Sequence, residues 1–178
     1  MTETVILAFI AAKLKGYKIK PILKDWPIYI IFVVSAVYIF IEAALFKGYT
    51  EIVKYAVIYR VLYTAAFFGV IFKYELYKST FIAVVFAAVG SELNNFVIEA
   101  NGGKMPVYPS LSYITGYVNP EYFDKVKDVH ILGTSAVNYK FLTDFIDLGY
   151  CILSVGDIFI SMFAFIILYT AIKHKSIN

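Results

Sequence analysis

The fold class this sequence predicts is an all-α polytopic membrane protein: four core transmembrane helices, a short N-terminal apolar helix and one long extracytoplasmic loop. Three observations predict it. The 178 residues are 61% hydrophobic and 16% charged, against roughly 45–50% and about 25% in soluble domains. The mean hydropathy is +0.74, more apolar surface than one buried core of this length absorbs, so the excess faces lipid. The apolar residues also fall into blocks near the roughly 20 residues that cross a bilayer.

Four blocks qualify in chain order: Trp26–Phe46, Ala56–Phe72, Ser79–Ile98 and Cys151–Ile172. Ahead of them, Thr4–Leu14 is shorter. It reads as a short span extended by snorkelling lysines, or as a helix lying in the interface. Glu3 precedes this stretch and its lysines follow it, the reverse of a cleavable secretory signal, so the segment is expected to be retained. Lys13, Lys15, Lys18, Lys20 and Lys24 crowd the approach to Trp26, and Lys173 and Lys175 follow the last block. By the positive-inside rule both regions are cytoplasmic, which predicts a multi-pass protein of the cell membrane with a cytoplasmic C-terminus. The turn holding Lys73 and Lys78 then falls inside, and residues 99–150 fall outside. That loop carries Glu99, Glu121, Asp124, Asp128, Asp144 and Asp147 against four lysines. Rich in Pro, Gly and Tyr, it is expected to fold rather than hang as a linker, and long ordered loops tend to be functional. No repeat appears, and residues 1–178 read as a single membrane domain.

Several function classes are excluded. Cys151 is the one cysteine, so there is no intramolecular disulfide and no multi-cysteine metal site. His130 and His174 are assigned to opposite membrane faces, which argues against a histidine metal cluster. No metal and no cofactor is called for. The net charge of +3 is divided between the membrane sides and makes no case for nucleic acid. Membrane lipid is the partner the composition implies, and the oligomeric state is left open.

Ionisable residues inside spans are costly and usually mark function. Here they are Glu42, Arg60, Glu92 and Asp157, with Asn94 and Asn95. Under the assigned orientation each lies in the outer part of its helix, so a shared outward-facing polar cavity is expected. Glu92, Asn95 and Glu99 fall at i, i+3 and i+7, one stripe of a helix, and Ser154, Asp157 and Ser161 repeat the pattern. Each feature also has a plainer reading. Glu42 and Arg60 can form a structural ion pair, and Asn94 and Asn95 can be interhelical glue. Cys151 reads as inert packing and His130 as a surface loop residue. Asp157 lacks an obvious basic neighbour, and Gly156 beside it permits close backbone approach.

Asn101-Gly102-Gly103-Lys104-Met105-Pro106-Val107, followed much later by Ser154-Val155-Gly156-Asp157, resembles an uncharacterised family of bacterial membrane proteins with that loop and a closing Ser-x-Gly-Asp helix. The resemblance covers most of the chain and brings no activity with it. A more distant likeness is to lipoprotein signal peptidase, the aspartyl protease signal peptidase II. Phe141-Leu142-Thr143-Asp144-Phe145-Ile146-Asp147 is similar to the motif that carries that family's first catalytic aspartate. Ser154-Val155-Gly156-Asp157-Ile158-Phe159-Ile160 is similar to the motif of the second. Gly90, Leu93, Asn95 and Gly103 fit the spacing of its glycine-rich stretch. The departures are concrete. The family's Asp-Arg pair would fall on Ile98 and Glu99, an extra loop of about 104–140 intervenes, and Ser154 stands where the family has asparagine.

What the resemblance implies is an intramembrane aspartyl peptidase with Asp144 and Asp157 as catalytic residues. Asn95, Glu92, Glu42, Arg60 and Ser154 would line the cavity or contact substrate. Two neighbouring carboxyls repel, so one holds its proton and serves as acid while the other serves as base. Asp147 competes with Asp144 for the loop position. Two further readings stand beside this one. A solute-binding subunit of a transporter would use the same cavity, with Tyr113 and Tyr117 as contacts for a small molecule. A non-catalytic structural partner would fill the cavity with side chains.

Overall fold

The apolar blocks are helical in the structure, a computed structural model that describes residues 2–118, 123 and 128–177. Helix α1 spans Thr2–Leu14, α2 Trp26–Phe46, α3 Ala56–Ala66, α4 Phe68–Lys73 and α5 Tyr77–Ala100; a short α6 covers Leu111–Thr115 and α7 covers Val155–Ile177. Among the described residues, four stretches are long and apolar enough to cross a membrane: Trp26–Phe46, Glu51–Lys73, Tyr77–Ala100 and Val155–Ile177. They fit a multi-pass membrane protein. Pro27 sits in the first turn of α2, where a missing N–H breaks no helical bond. At 13 residues, α1 stays short of the four.

Several bounds differ from the sequence reading: α5 extends beyond Ser79–Ile98 at both ends, and α7 continues past Ile172 to Ile177. The second span is interrupted, because Phe67 separates α3 from α4. The last helix begins at Val155 and not at Cys151, since Ile152–Leu153 pair as a strand and Ser154 caps the helix. Glu121 and Asp124, counted among the loop carboxylates, lie outside the described residues.

The chain divides into two compact units, one of Met1–Ile41, Lys54–Ala87 and Ser161–Asn178, the other of Glu42–Val53 and Ala88–Ile160. In the first unit, Val5, Ala8 and Ala12 of α1 are buried with Ile22, Ile28, Ile31, Phe67, Val70 and residues Ile167, Leu168, Ala171 and Ile172 of α7. The alanines of α1 let its backbone approach its neighbours closely, the usual device where lipid supplies no hydrophobic contrast. Phe67 packs edge-on against Phe163 with ring centroids 5.7 Å apart. At one end of this unit Asp25 accepts hydrogen bonds from Lys73 Nζ at 2.6 Å and from the Tyr74 hydroxyl, and Lys175 Nζ lies 3.4 Å away. The Lys73 bond, followed by that of Tyr74, holds the Asp25 carboxyl down at about 2.

The second unit contains the long loop, and its described residues include four short strands. Strand β1 (Met105–Val107) pairs in parallel with β2 (His130–Leu132), and β3 (Ile146–Asp147) pairs antiparallel with β4 (Ile152–Leu153). Asn101-Gly102-Gly103 ends α5. The Gly103 N–H donates to Ile98 C=O at 2.8 Å and the Gly102 N–H to Glu99 C=O at 3.2 Å, the paired bonds of a Schellman cap. Both glycines have positive φ, +68° and +82°, which a side chain resists. Asn101 ties this turn to the far part of the loop. Its Oδ1 accepts from the Asn138 N–H at 2.9 Å and its Nδ2 donates to Asn138 C=O at 3.1 Å.

Candidate functional site

Strand β1 is the frame of the site. Its Met105 N–H donates to Val129 C=O and its Val107 C=O accepts from the Gly133 N–H, both at 2.8 Å, along the β2 edge. Backbone groups alternate in direction along a strand, so Pro106 and Tyr108 serve the opposite edge. There the Tyr108 N–H donates to Asp144 C=O at 2.8 Å and Pro106 C=O accepts from the Asp144 N–H at 3.1 Å. Proline is tolerated because only its carbonyl is asked for. His130 pairs with Met105 on one side and Asp144 bridges Val107 on the other.

The side chains of these two residues meet. His130 Nε2 lies 3.5 Å from Asp144 Oδ2. On its other side the ring is held by Asp128, whose Oδ2 is 2.7 Å from His130 Nδ1 and whose Oδ1 accepts from the His130 N–H at 2.8 Å. Lys104 Nζ donates to Asp128 C=O at 3.0 Å. Asp144 is buried, 4% exposed, and both it and His130 line a cavity of about 130 Å³. Val107, Val118 and Ile152 form its aliphatic walls and Tyr117 and Phe123 contribute rings. Asp144 Oδ1 is buried and has no hydrogen-bond partner among the described residues. Burial, and next the charge of Asp157, push the Asp144 carboxyl up to about 7; His130 opposes them. Burial works against the charged form of His130, but its hydrogen bond to Asp128 and the surrounding carboxylates outweigh it and raise its pKa above the ordinary value.

Asp157 is built in differently. The Ser154 Oγ accepts from the Asp157 N–H at 2.9 Å, and Asp157 Oδ2 accepts from the Ser154 N–H at 2.9 Å. This reciprocal pair is a capping box that starts α7. Asn94 Nδ2 donates to Asp157 Oδ1 at 3.0 Å, and Asn94 Oδ1 accepts from the Ser154 hydroxyl at 2.8 Å. The partner on α5 is therefore Asn94; Asn95 and Glu92 are exposed. Gly90 and Gly156 make the close approach possible. A Cβ on Gly156 would stand 2.1 Å from Asn94 Oδ1, and one on Gly90 2.4 Å from Gly156 O.

Glu42 is half-buried in the second unit, whereas Arg60 is exposed on α3 in the first. Asp147, the competitor for the loop position, is occupied: it accepts from the Ser110 N–H (2.6 Å), the Ser112 N–H (2.8 Å), the Ser112 hydroxyl (2.6 Å) and the Gly149 N–H (2.7 Å). Burial disfavours its charge, but these bonds prevail and lower it to about 2. Tyr113 is exposed, and Tyr117 lines the cavity. Among the described residues no group of three His, Cys, Asp or Glu is placed to hold a metal ion.

In the sequence His130 reads as a surface loop residue and Asp128 as loop charge alone; in the structure the two are joined through the ring and the backbone N–H of His130. The i, i+2 spacing of Asp128 and His130 was the available signal, since a short acidic side chain readily bonds the backbone two residues on.

No curated protein and no solved structure matches this chain. The comparison with protein families matches residues 19–169 to one described as "Family of unknown function (DUF5317)". The match runs from ahead of α2 to within α7, in keeping with the resemblance to an uncharacterised family, and the chain belongs to this family, DUF5317.

Proposed function

We propose that this protein is an aspartyl peptidase of the outer membrane edge, acting on a lipid-anchored or membrane peptide, with Asp144 and Asp157 as its two carboxyls. The observation that carries the reading is Asp144: a buried carboxyl lining a cavity, with Oδ1 unpartnered among the described residues and a pKa raised to about 7 by burial and by the Asp157 charge. A carboxyl tuned towards neutrality beside a second carboxylate is the arrangement acid–base hydrolysis needs. In this scheme Asp157 takes a proton from water as its oxygen bonds to the scissile carbonyl carbon. Asp144 gives its proton to the carbonyl oxygen. Collapse of the gem-diol intermediate then breaks the C–N bond: Asp157 gives its proton to the leaving nitrogen, and Asp144 takes one back from a gem-diol hydroxyl, which restores both carboxyls. The similarity of 141–147 and 154–160 to the two signal peptidase II motifs supports the same pair, and the lysine asymmetry supports an extracytoplasmic site.

The test is cleavage of lipid-modified and membrane peptides by the full chain in lipid nanodiscs. Asp144→Asn and Asp157→Asn are each expected to lower kcat at least about 100-fold, the scale of one general acid or base. Glu51→Gln is expected to cleave as wild type. Because Asp157 also caps α7, its variant is compared at matched folded fraction. Undiminished cleavage by Asp144→Asn would overturn the reading. The rings of Tyr117 and Phe123 in the cavity wall favour solute binding as a second reading, which predicts saturable ligand binding with no turnover.

A further inference from the structure

We infer that Asp128 and His130 form a proton relay for Asp144, with Asp128 fixing the ring so that His130 Nε2 carries protons between the buried Asp144 carboxyl and solvent. Three geometric facts point to it. The Asp128 carboxylate binds both the His130 ring nitrogen Nδ1 and the His130 backbone N–H, at 2.7 and 2.8 Å, which sets the ring orientation and places the Nδ1 proton. That leaves Nε2 as the free nitrogen, 3.5 Å from Asp144 Oδ2. The His130 side chain is 39% exposed and that of Asp144 6%, so the ring bridges solvent and a carboxyl that solvent scarcely reaches.

The transfer balances. The O–H bond of Asp144 breaks at Oδ2 and an N–H bond forms at Nε2. Asp144 becomes a carboxylate and His130 an imidazolium, stabilised by Asp128 on the far side of the ring. The Nε2–H bond then breaks as water takes that proton, and the ring returns to its neutral form with Nδ1–H still held by Asp128. Burial holds the Asp144 carboxyl up at about 7, and, against the effect of burial, the Asp128 carboxylate raises His130 above its ordinary value, so each group holds a proton more tightly than it would free in water. The charged groups acting on Asp144 are His130 from β2, Asp128 from the turn before it and Asp157 from the start of α7; Lys104 acts on Asp128. Asp144 Oδ1 is left for the reacting group, so His130 is a positioning residue and acts through Asp144.

The inference deepens the peptidase reading, but the measurement needs no substrate. The full chain in nanodiscs is titrated by infrared difference spectroscopy of the carboxyl C=O band, with Asp144→Asn identifying the Asp144 signal. His130→Gln is expected to raise the Asp144 midpoint by about one pH unit, the lower end of what an opposite charge at ion-pair distance supplies. Should His130→Gln fail to fold, Asp128→Asn keeps the ring and is expected to lower the His130 midpoint, read from its ring NMR signals. An Asp144 midpoint unmoved in His130→Gln, or a His130 midpoint unmoved in Asp128→Asn, would overturn the relay. A shifted midpoint in a protein that cleaves no peptide keeps the relay and removes the peptidase. Cleavage by a protein whose Asp144 ignores His130 does the reverse.

Discussion

Gly156 shows how much can rest on a missing side chain. A Cβ there would lie 2.1 Å from Asn94 Oδ1 and 2.6 Å from Gly90 O, distances that no side-chain adjustment absorbs, because one obstacle is backbone. Gly156→Ala is therefore expected to push α5 from the start of α7 within the second unit and to break the Asn94–Asp157 bond. Overpacking of this kind costs about 1–3 kcal/mol, to be read as a lowered thermal midpoint of the solubilised chain. An unchanged midpoint would mean that the close approach does not form. The sequence displayed this glycine next to an intramembrane acid, and close backbone approach was legible from it. That the approach serves Asn94 was not. Asn94 and Asn95 are chemically identical neighbours, and only the rotation of α5 about its axis decides which one turns to Asp157.

At the scale of elements, the start of α7 and the strand β1 do the positioning. Ser154 is fully buried and fills three roles: it accepts from the Asp157 N–H, donates its hydroxyl to Asn94 and offers its own N–H to Asp157. Ser154→Ala is expected to destabilise the fold by about 1–2 kcal/mol, the worth of an N-cap at the upper end of its range, measured by chemical or thermal unfolding. Loss of the cap also frees Asp157, so the same variant is expected to show a changed Asp144 titration. A cap loss without that change would separate the helix start from the site. The Ser-x-Gly-Asp pattern was visible beforehand as a polar stripe, but as a capping box it required knowing where the helix begins. The strands were not visible at all. Segments of two or three residues are too short for an alternating pattern to register, and β1 gains its place through its partners His130–Leu132 and Asp144, over twenty residues away in sequence.

For the molecule as a whole, the titrating groups act in opposite directions, and the pH dependence of stability follows. Asp144 is raised from 3.8 to about 7, so the folded state keeps a proton that the unfolded chain releases. Its contribution is complete below about pH 4 and is lost as pH rises through about 7. His130, also raised, adds stability below 6.5 that disappears as pH passes its higher folded value. Asp25 and Asp147 are lowered to about 2, so their contributions stand above about pH 4 and vanish as pH falls through about 2. Stability is expected to peak in the mildly acidic range and to decline on both sides. Thermal midpoints of the full chain at pH 3, 5 and 8 check this, the expected order being highest at 5. Asp144→Asn, which cannot ionise, is expected to flatten the decline between pH 5 and 8. A wild-type midpoint that rises steadily to pH 8 would contradict the environment assigned to Asp144.

The sequence by itself determined the helical, membrane-suited character of this protein, because apolar runs of some twenty residues are a local property that any window reveals. It also marked Asp144, Ser154, Asp157 and the Asn-Gly-Gly turn as places where polar or conformationally special residues stand out from their surroundings. Only the tertiary structure decided which of these share a site. It set His130 and Asp128 against Asp144 by strand pairing, engaged Asp147 in five hydrogen bonds, and left Glu92 and Asn95 exposed. The physical reason is the same in each case. Hydropathy is additive along the chain, whereas a hydrogen bond or a shifted pKa depends on which distant groups the backbone register brings within a few ångströms.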